Sequence, residues 1–211
     1  MELHDKMTDN ELNKITCKFS DVKPLIDQIN LVLIELNRLR KRLKTKRSKY
    51  KFINDLIDIN SAGNTLVNAC VDLFKELGIG TVENIDKKYY EEDIRIWHGD
   101  KLIIVEVTGI DTPNPKFTKA HQISLHIRLR QEQYKEKEIF GLFIVNHDNK
   151  KYYKQRNNKP FNNKIIDIAK SHKYTLMTTT DLLNAYKMIK MEKLKPEEFI
   201  EKLCLLGLFK I

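Results

Sequence analysis

Residues 92–109 read EDIRIWHGDKLIIVEVTG. The stretch divides into two strands joined by a tight turn at residues 98–101. The second strand, KLIIVEV, is β-branched and apolar, as a buried strand should be. Asp93 opens the first strand, and Glu106 sits near the end of the second. A carboxylate inside an apolar run is costly to bury unless something pairs with it, and a divalent cation is an economical partner. With this turn, Asp93 and Glu106 lie together at the end of the sheet away from it. Two carboxylates there can hold a hard cation through oxygen.

An Asp, a hairpin and then Glu-x-x-Gly after an apolar strand resembles the PD-(D/E)XK nuclease superfamily. The resemblance extends along residues 61–194. After VEVTG comes a helix carrying Gln122 and Ile123, then the strand IFGLFIVNH, Arg156, Pro160 and Phe161, a further helix, the short run YTLMTTT and a helix opening DLLNA. It implies an α/β fold, a restriction-endonuclease-like mixed sheet flanked by helices. It also implies Mg²⁺ (or Mn²⁺) held by Asp93, Glu106 and the Val107 carbonyl, with metal-assisted hydrolysis of phosphodiester bonds. Three positions depart from the family pattern. Thr108 stands where a Lys two residues after the Glu helps to activate the attacking water. Glu92 stands in place of Pro, and Val67 stands where many relatives carry a Glu on the first helix. Lys119 or Lys116 is the candidate substitute for the missing ammonium. Gln122 either orients water or phosphate at the site or is a surface glutamine.

Upstream, the chain has no glycine from about residue 21 to 60, and its one proline there, Pro24, suits a first helical turn. Ile29, Val32, Leu36, Leu39 and Leu43, then Tyr50, Ile53 and Ile57, recur at alternating gaps of three and four, with one step missing at Lys46. This is a heptad seam. It predicts a helix of roughly 35–40 residues, too long for one small domain to cover, and hence a coiled-coil homodimer; the alternative is a long helix that packs on its own domain. Arg38, Arg40, Lys41, Arg42, Lys44, Lys46 and Arg47 crowd the same segment. Like charges at helical neighbour positions repel one another, and a phosphate backbone relieves them by releasing counterions. The alternative is a solvated coiled-coil face. Any nucleic-acid contact of this kind is sequence-independent.

The body opens at the Ser61-Ala-Gly-Asn break, where Asn64 is the expected cap of a helix through LVNACVDLFKELG. A strand is expected in GTVENID. Asn146 ends an apolar strand, where ligands gather in α/β folds, or simply caps it. Arg156 is a candidate phosphate contact or a clamp on a site carboxylate. His121, His126 and His147 have no partner at ligand spacing and read as ordinary polar residues, and Trp97 as packing on the hairpin. Thr180 or Asp181 caps a helix, and Pro196 opens the last one, whose Phe199, Leu203 and Leu206 face the body or a partner.

The 211 residues therefore divide into a basic helical arm (1–60), a restriction-endonuclease-like domain (61–194) and a C-terminal helix (195–211). Hydrophobic residues at 41% support a real core, and a net charge of +9 favours a polyanionic partner, nucleic acid above all and DNA in the first place. No apolar run is long enough for a membrane span, and MELHDKMTDN lacks an apolar signal core. Cys17, Cys70 and Cys204 suit a reducing, cytoplasmic compartment and show no metal spacing. The reading is a metal-dependent DNA endonuclease, weakened by Thr108. Its alternative is a non-catalytic nucleic-acid-binding or assembly module of the same fold.

Overall fold

A computed structural model describes residues 22–85 and 91–210; Cys17 and the N-terminal decapeptide lie outside them. The chain divides into two compact units, residues 1–49 and 50–211. In the first, α1 (Val22–Lys49) is a 28-residue helix, about 42 Å long at ~1.5 Å per residue. None of its residues is buried, and Ile29, Val32, Leu36, Leu39 and Leu43 are between 40 and 63% exposed. The helix stops at Lys49, and Tyr50 leaves helical geometry (φ −106°, ψ 20°) before α2 (Lys51–Ile57). Phe52 and Leu56 of α2 are buried in the core of the second unit, and Ile53 and Ile57 pack against that core. The expected single long helix is thus two. Its apolar repeat beyond Tyr50 serves the body rather than a seam.

The body continues through α3 (Gly63–Leu77), β1 (Thr81–Asn84), β2 (Ile94–His98), β3 (Lys101–Gly109), α4 (Phe117–Gln133) and β4 (Glu138–Asn146). Then follow α5 (Asn163–Ser171), β5 (Tyr174–Thr178), α6 (Thr179–Lys190), α7 (Pro196–Leu203) and the two-residue β6 (Gly207–Leu208). The strands form one sheet in chain order. β1 pairs antiparallel with β2 and β2 antiparallel with β3, whereas β3, β4, β5 and β6 are mutually parallel. Helical connections are what parallel neighbours require, and they cover both faces of the sheet.

Alternation along β3 sorts its side chains between two cores. Ile103 and Val105 join α2, α3, α6 and α7 on one face, while Leu102 and Ile104 join α4 and α5 on the other. α3 buries Leu66, Val67, Cys70, Leu73, Phe74 and Leu77 and ends at Gly78, whose φ of 66° is the left-handed turn glycine permits. Its N-cap is Ala62, with no side-chain cap bond, rather than Asn64. α6 opens with a capping box between Thr178 and Asp181, so Asp181 sits at the third helical position and the cap is two residues earlier than Thr180. α7 buries Phe199, Ile200 and Leu203 against the body, while Leu206 is 43% exposed.

Two glycines fix close approaches around the site. A Cβ on Gly109 would meet the Ser61 carbonyl and the Ala62 Cβ at 2.6 Å, so the glycine of Glu-x-x-Gly lets β3 end against the start of α3. A Cβ on Gly141 would meet Ile127 Cδ1 at 2.5 Å and Tyr174 Cβ at 2.6 Å, so its absence lets α4 settle onto β4.

Candidate active site

Glu106 follows Leu102 and Ile104 at two-residue steps, so its side chain enters the face that α4 covers. It is 8% exposed. His126, on α4 and 3% exposed, brings Nδ1 to 2.7 Å from Glu106 Oε1. The two groups form a buried ion pair, so His126 partners the Glu106 carboxylate from the α4 side. Burial alone would lower the His126 pKa; the Glu106 carboxylate, with Glu92 beyond it, reverses this and holds it above the ordinary histidine value. Asp93 stands on the neighbouring strand. Its amide donates to the Val105 carbonyl at 3.2 Å, and its Oδ2 accepts the Val107 amide at 2.6 Å. The Asp93 carboxylate thus takes a β3 amide in place of a backbone carbonyl, at the point where β2 has left the ladder. The Asp93 carboxylate therefore sits against the Val107 backbone at the end of the sheet away from the turn; burial, and after it the Asp93 charge, raise the pKa of the Cys70 thiol on α3.

Behind them lies a buried ion cluster. Glu92 is fully buried. Arg130 binds both of its oxygens, at 2.9 and 3.1 Å from Nε and 2.9 Å from Nη2. Arg95 Nε donates to the same carboxylate, and Arg95 Nη2 reaches Glu91 at 3.0 Å. His126 and Arg130 are one helical turn apart, so one face of α4 grips the carboxylates beside both site strands.

A hard cation at this end of the sheet would have to take oxygen donors from Asp93, Glu106 and the Val107 carbonyl. Among the described residues no three His, Cys, Asp or Glu side chains gather as a metal-binding cluster. No family model matches the chain, and no curated protein sequence does. Among solved structures it is similar to the restriction endonuclease FokI, at a TM-score of 0.53 and 15% identity over 72% of this chain and 29% of that one. It is also similar to the small subunit, R.BspD6I2, of the heterodimeric restriction endonuclease R.BspD6I, at a TM-score of 0.50 and 14% identity over 74% of this chain and 86% of that one. The fold is restriction-endonuclease-like.

Within this restriction-endonuclease-like body, Thr108 is half-buried two residues beyond Glu106 and opposite Val145 of β4; it projects to the α4 face. Lys119, Gln122 and His126 are spaced three and four apart on α4 and form one stripe. Lys119 and Gln122 are exposed and His126 is buried, so the stripe climbs from Glu106 toward solvent. Lys116 is the N-cap of α4. Arg156 lies elsewhere, 8% exposed. Its guanidinium binds the Lys151 carbonyl at 3.1 Å, the Ile57 carbonyl at 2.9 Å and the Asn146 side chain, so it ties loop to core and offers little to phosphate. Asn146 also takes the Thr179 hydroxyl at 3.0 Å and donates to the Ser61 carbonyl at 2.9 Å; it is a structural hub. Trp97 meets Tyr134 edge-on at 5.2 Å. Arg38, Arg40, Lys41, Arg42, Lys44, Lys46 and Arg47 are all exposed on α1. Sequence reasoning missed the buried His126–Glu106 and Arg130–Glu92 pairs. The available signals were the four-residue step from Gln122 to His126 and from His126 to Arg130.

Proposed function

We propose that this protein is a metal-dependent endonuclease acting on DNA, with Mg²⁺ (or Mn²⁺) held by Asp93, Glu106 and the Val107 carbonyl. What supports the reading is a buried Glu106 carboxylate, ion-paired to His126 and one strand from Asp93, in a fold similar to that of two restriction endonucleases. When bound, such a cation supplies Lewis acidity to a phosphodiester and lowers the pKa of a water. The Val107 amide fixes the Asp93 carboxylate. His126 supports Glu106 from its buried side. Gln122, exposed on the same stripe, orients water or a phosphate oxygen, and Lys119 supplies the positive charge that Thr108 does not. The α1 seam joins two copies, and the cations between Arg38 and Lys51 then form a surface for the nucleic-acid backbone. Titration calorimetry with Mn²⁺ on wild type and on the Asp93→Ala, Glu106→Ala double variant tests the site. Metal binding and plasmid cleavage should disappear together while DNA binding in chelator persists. Equal metal uptake by both proteins ends the proposal.

One observation favours a second reading. Thr108 carries no charge at the position beside the two carboxylates, and a preorganised charge of that kind is worth about 10²–10³ in rate. A non-catalytic DNA-binding module of the same fold predicts no cleavage with any divalent metal.

A further inference from the structure

A cavity of about 730 Å³ opens at the ends of β4 and β5, within the size range of small-molecule sites. Because β3, β4 and β5 are parallel and in register, it lies at the same end of the sheet as Glu106. β5 is two strands from β3, about 10 Å at the spacing of paired strands. Three ammonium groups border it: Lys154 and Lys159 from the loop after β4, and Lys187 from α6. None of the three makes an ion pair with another described residue. The one acid in the lining, Asp181, is committed to the α6 capping box. Three aromatic rings, Tyr153 and the largely buried Phe161 and Phe209, add planar apolar surface. Asn158 and Asn184 bring carboxamides with no hydrogen bond to another described residue, and Asn184 and Lys187 share one face of α6 at a three-residue step.

The wall is pinned in place. Asn157 receives His147 Nε2 on its carbonyl at 2.6 Å and gives its amide to Asp148 Oδ2 at 3.1 Å. Its side chain closes a small ring with Lys159, at 3.1 and 3.0 Å. Excess positive charge, aromatic faces and amides able to read hydrogen-bond edges are the chemistry of a nucleotide.

We infer that this cavity receives one unpaired nucleotide, its phosphate against Lys159 and Lys187 and its base between the aromatic rings and the Asn158 and Asn184 carboxamides. The inference rests on the nucleic-acid reading only in taking that nucleotide from the substrate strand, close enough to Glu106 for one strand to touch both. The test is fluorescence anisotropy on the full chain in chelator, with two DNA duplexes of equal length. One duplex is fully paired and one carries a single-nucleotide bulge, and a deoxynucleoside 5′-monophosphate serves as competitor. The bulged duplex should bind about tenfold tighter, and the preference should vanish in Asn184→Leu and in Lys159→Ala, Lys187→Ala. All three side chains are exposed, and thermal melts confirm that the variants fold. Equal binding of the two duplexes by wild type overturns the pocket and leaves the nuclease reading intact. A preference that survives both variants also overturns it. Mononucleotide binding that depends on Asn184 and Lys187, with no duplex binding, supports the pocket and removes the nuclease reading.

Discussion

On the proposed nuclease reading, Thr108 is the residue whose chemistry limits the site. It shares a face with Glu106, and the Lys119 amine three helical positions before Gln122 is the nearest sequence candidate to replace the missing charge. Thr108→Lys should raise cleavage, by up to about 10²–10³ if Lys119 contributes little. An unchanged or lower rate in initial-velocity plasmid assays means that the charge is already supplied. Glu92 permits a different kind of test. Burial alone would raise its pKa, but hydrogen bonds from Arg130 and Arg95 outweigh this and hold it below the usual glutamate range. A depressed folded-state pKa stabilises fully above the unfolded value near ~4.3, and the contribution is lost as pH falls through the folded value. Glu92→Gln leaves two guanidiniums without their carboxylate and should cost about 3–5 kcal/mol at neutral pH. Its urea midpoints should fall less steeply below about pH 4 than those of wild type; parallel curves would remove Glu92 from the acid sensitivity. Neither His126 nor Glu92 was legible as one half of a buried ion pair. Their partners lie 20 and 38 positions away in sequence, and only the settling of α4 on β3 brings them together. The hairpin and the contact of Asp93 with the Val107 amide were legible because a hairpin is local: once the turn is placed, the register follows.

At the scale of elements, spacing identified most helices and strands but not what each packs against. Ile53 and Ile57 continue the period of Leu36, Leu39 and Leu43, yet they lie on the separate α2, packed on the body core. A three–four repeat specifies an apolar stripe, and a stripe on a partner helix and a stripe on a core obey the same arithmetic. β6 escaped notice because two residues carry no period at all; it is defined by its pairing with β5. The seating of α4 depends on Gly141. Gly141→Ala should destabilise the body by about 1–3 kcal/mol, since Ile127 can turn aside but the Tyr174 Cβ is fixed to its strand. Denaturant unfolding checks this, and a neutral substitution would mean that α4 can shift outward without loss.

For the whole molecule, the boundary at Lys49 separates two expectations about truncation. Removing residues 1–49 should leave a folded body, because Phe52 and Leu56 remain in its core. Removing residues 1–58 should cost several kcal/mol, since two buried large side chains are lost, each worth about 2–5 kcal/mol. The shorter deletion should also weaken DNA binding and flatten its dependence on salt, because fewer phosphate contacts release fewer counterions. An unchanged salt slope would make the α1 cations a solvated face. Light scattering on the same protein reads the seam: a truncated chain that stays dimeric locates the interface in the body. The parallel order of β3, β4 and β5 has a practical consequence as well. Every connection leaving their carboxyl ends surrounds the carboxylates or the cavity, whereas the turn at residues 99–100 and the link at residues 134–137 meet at the opposite pole, where the Lys137 amine caps the Gly99 carbonyl at 3.0 Å. That pole is the place to graft an affinity handle or a fluorescent reporter, between the exposed Lys135 and Glu136, with the whole thickness of the sheet between cargo and chemistry.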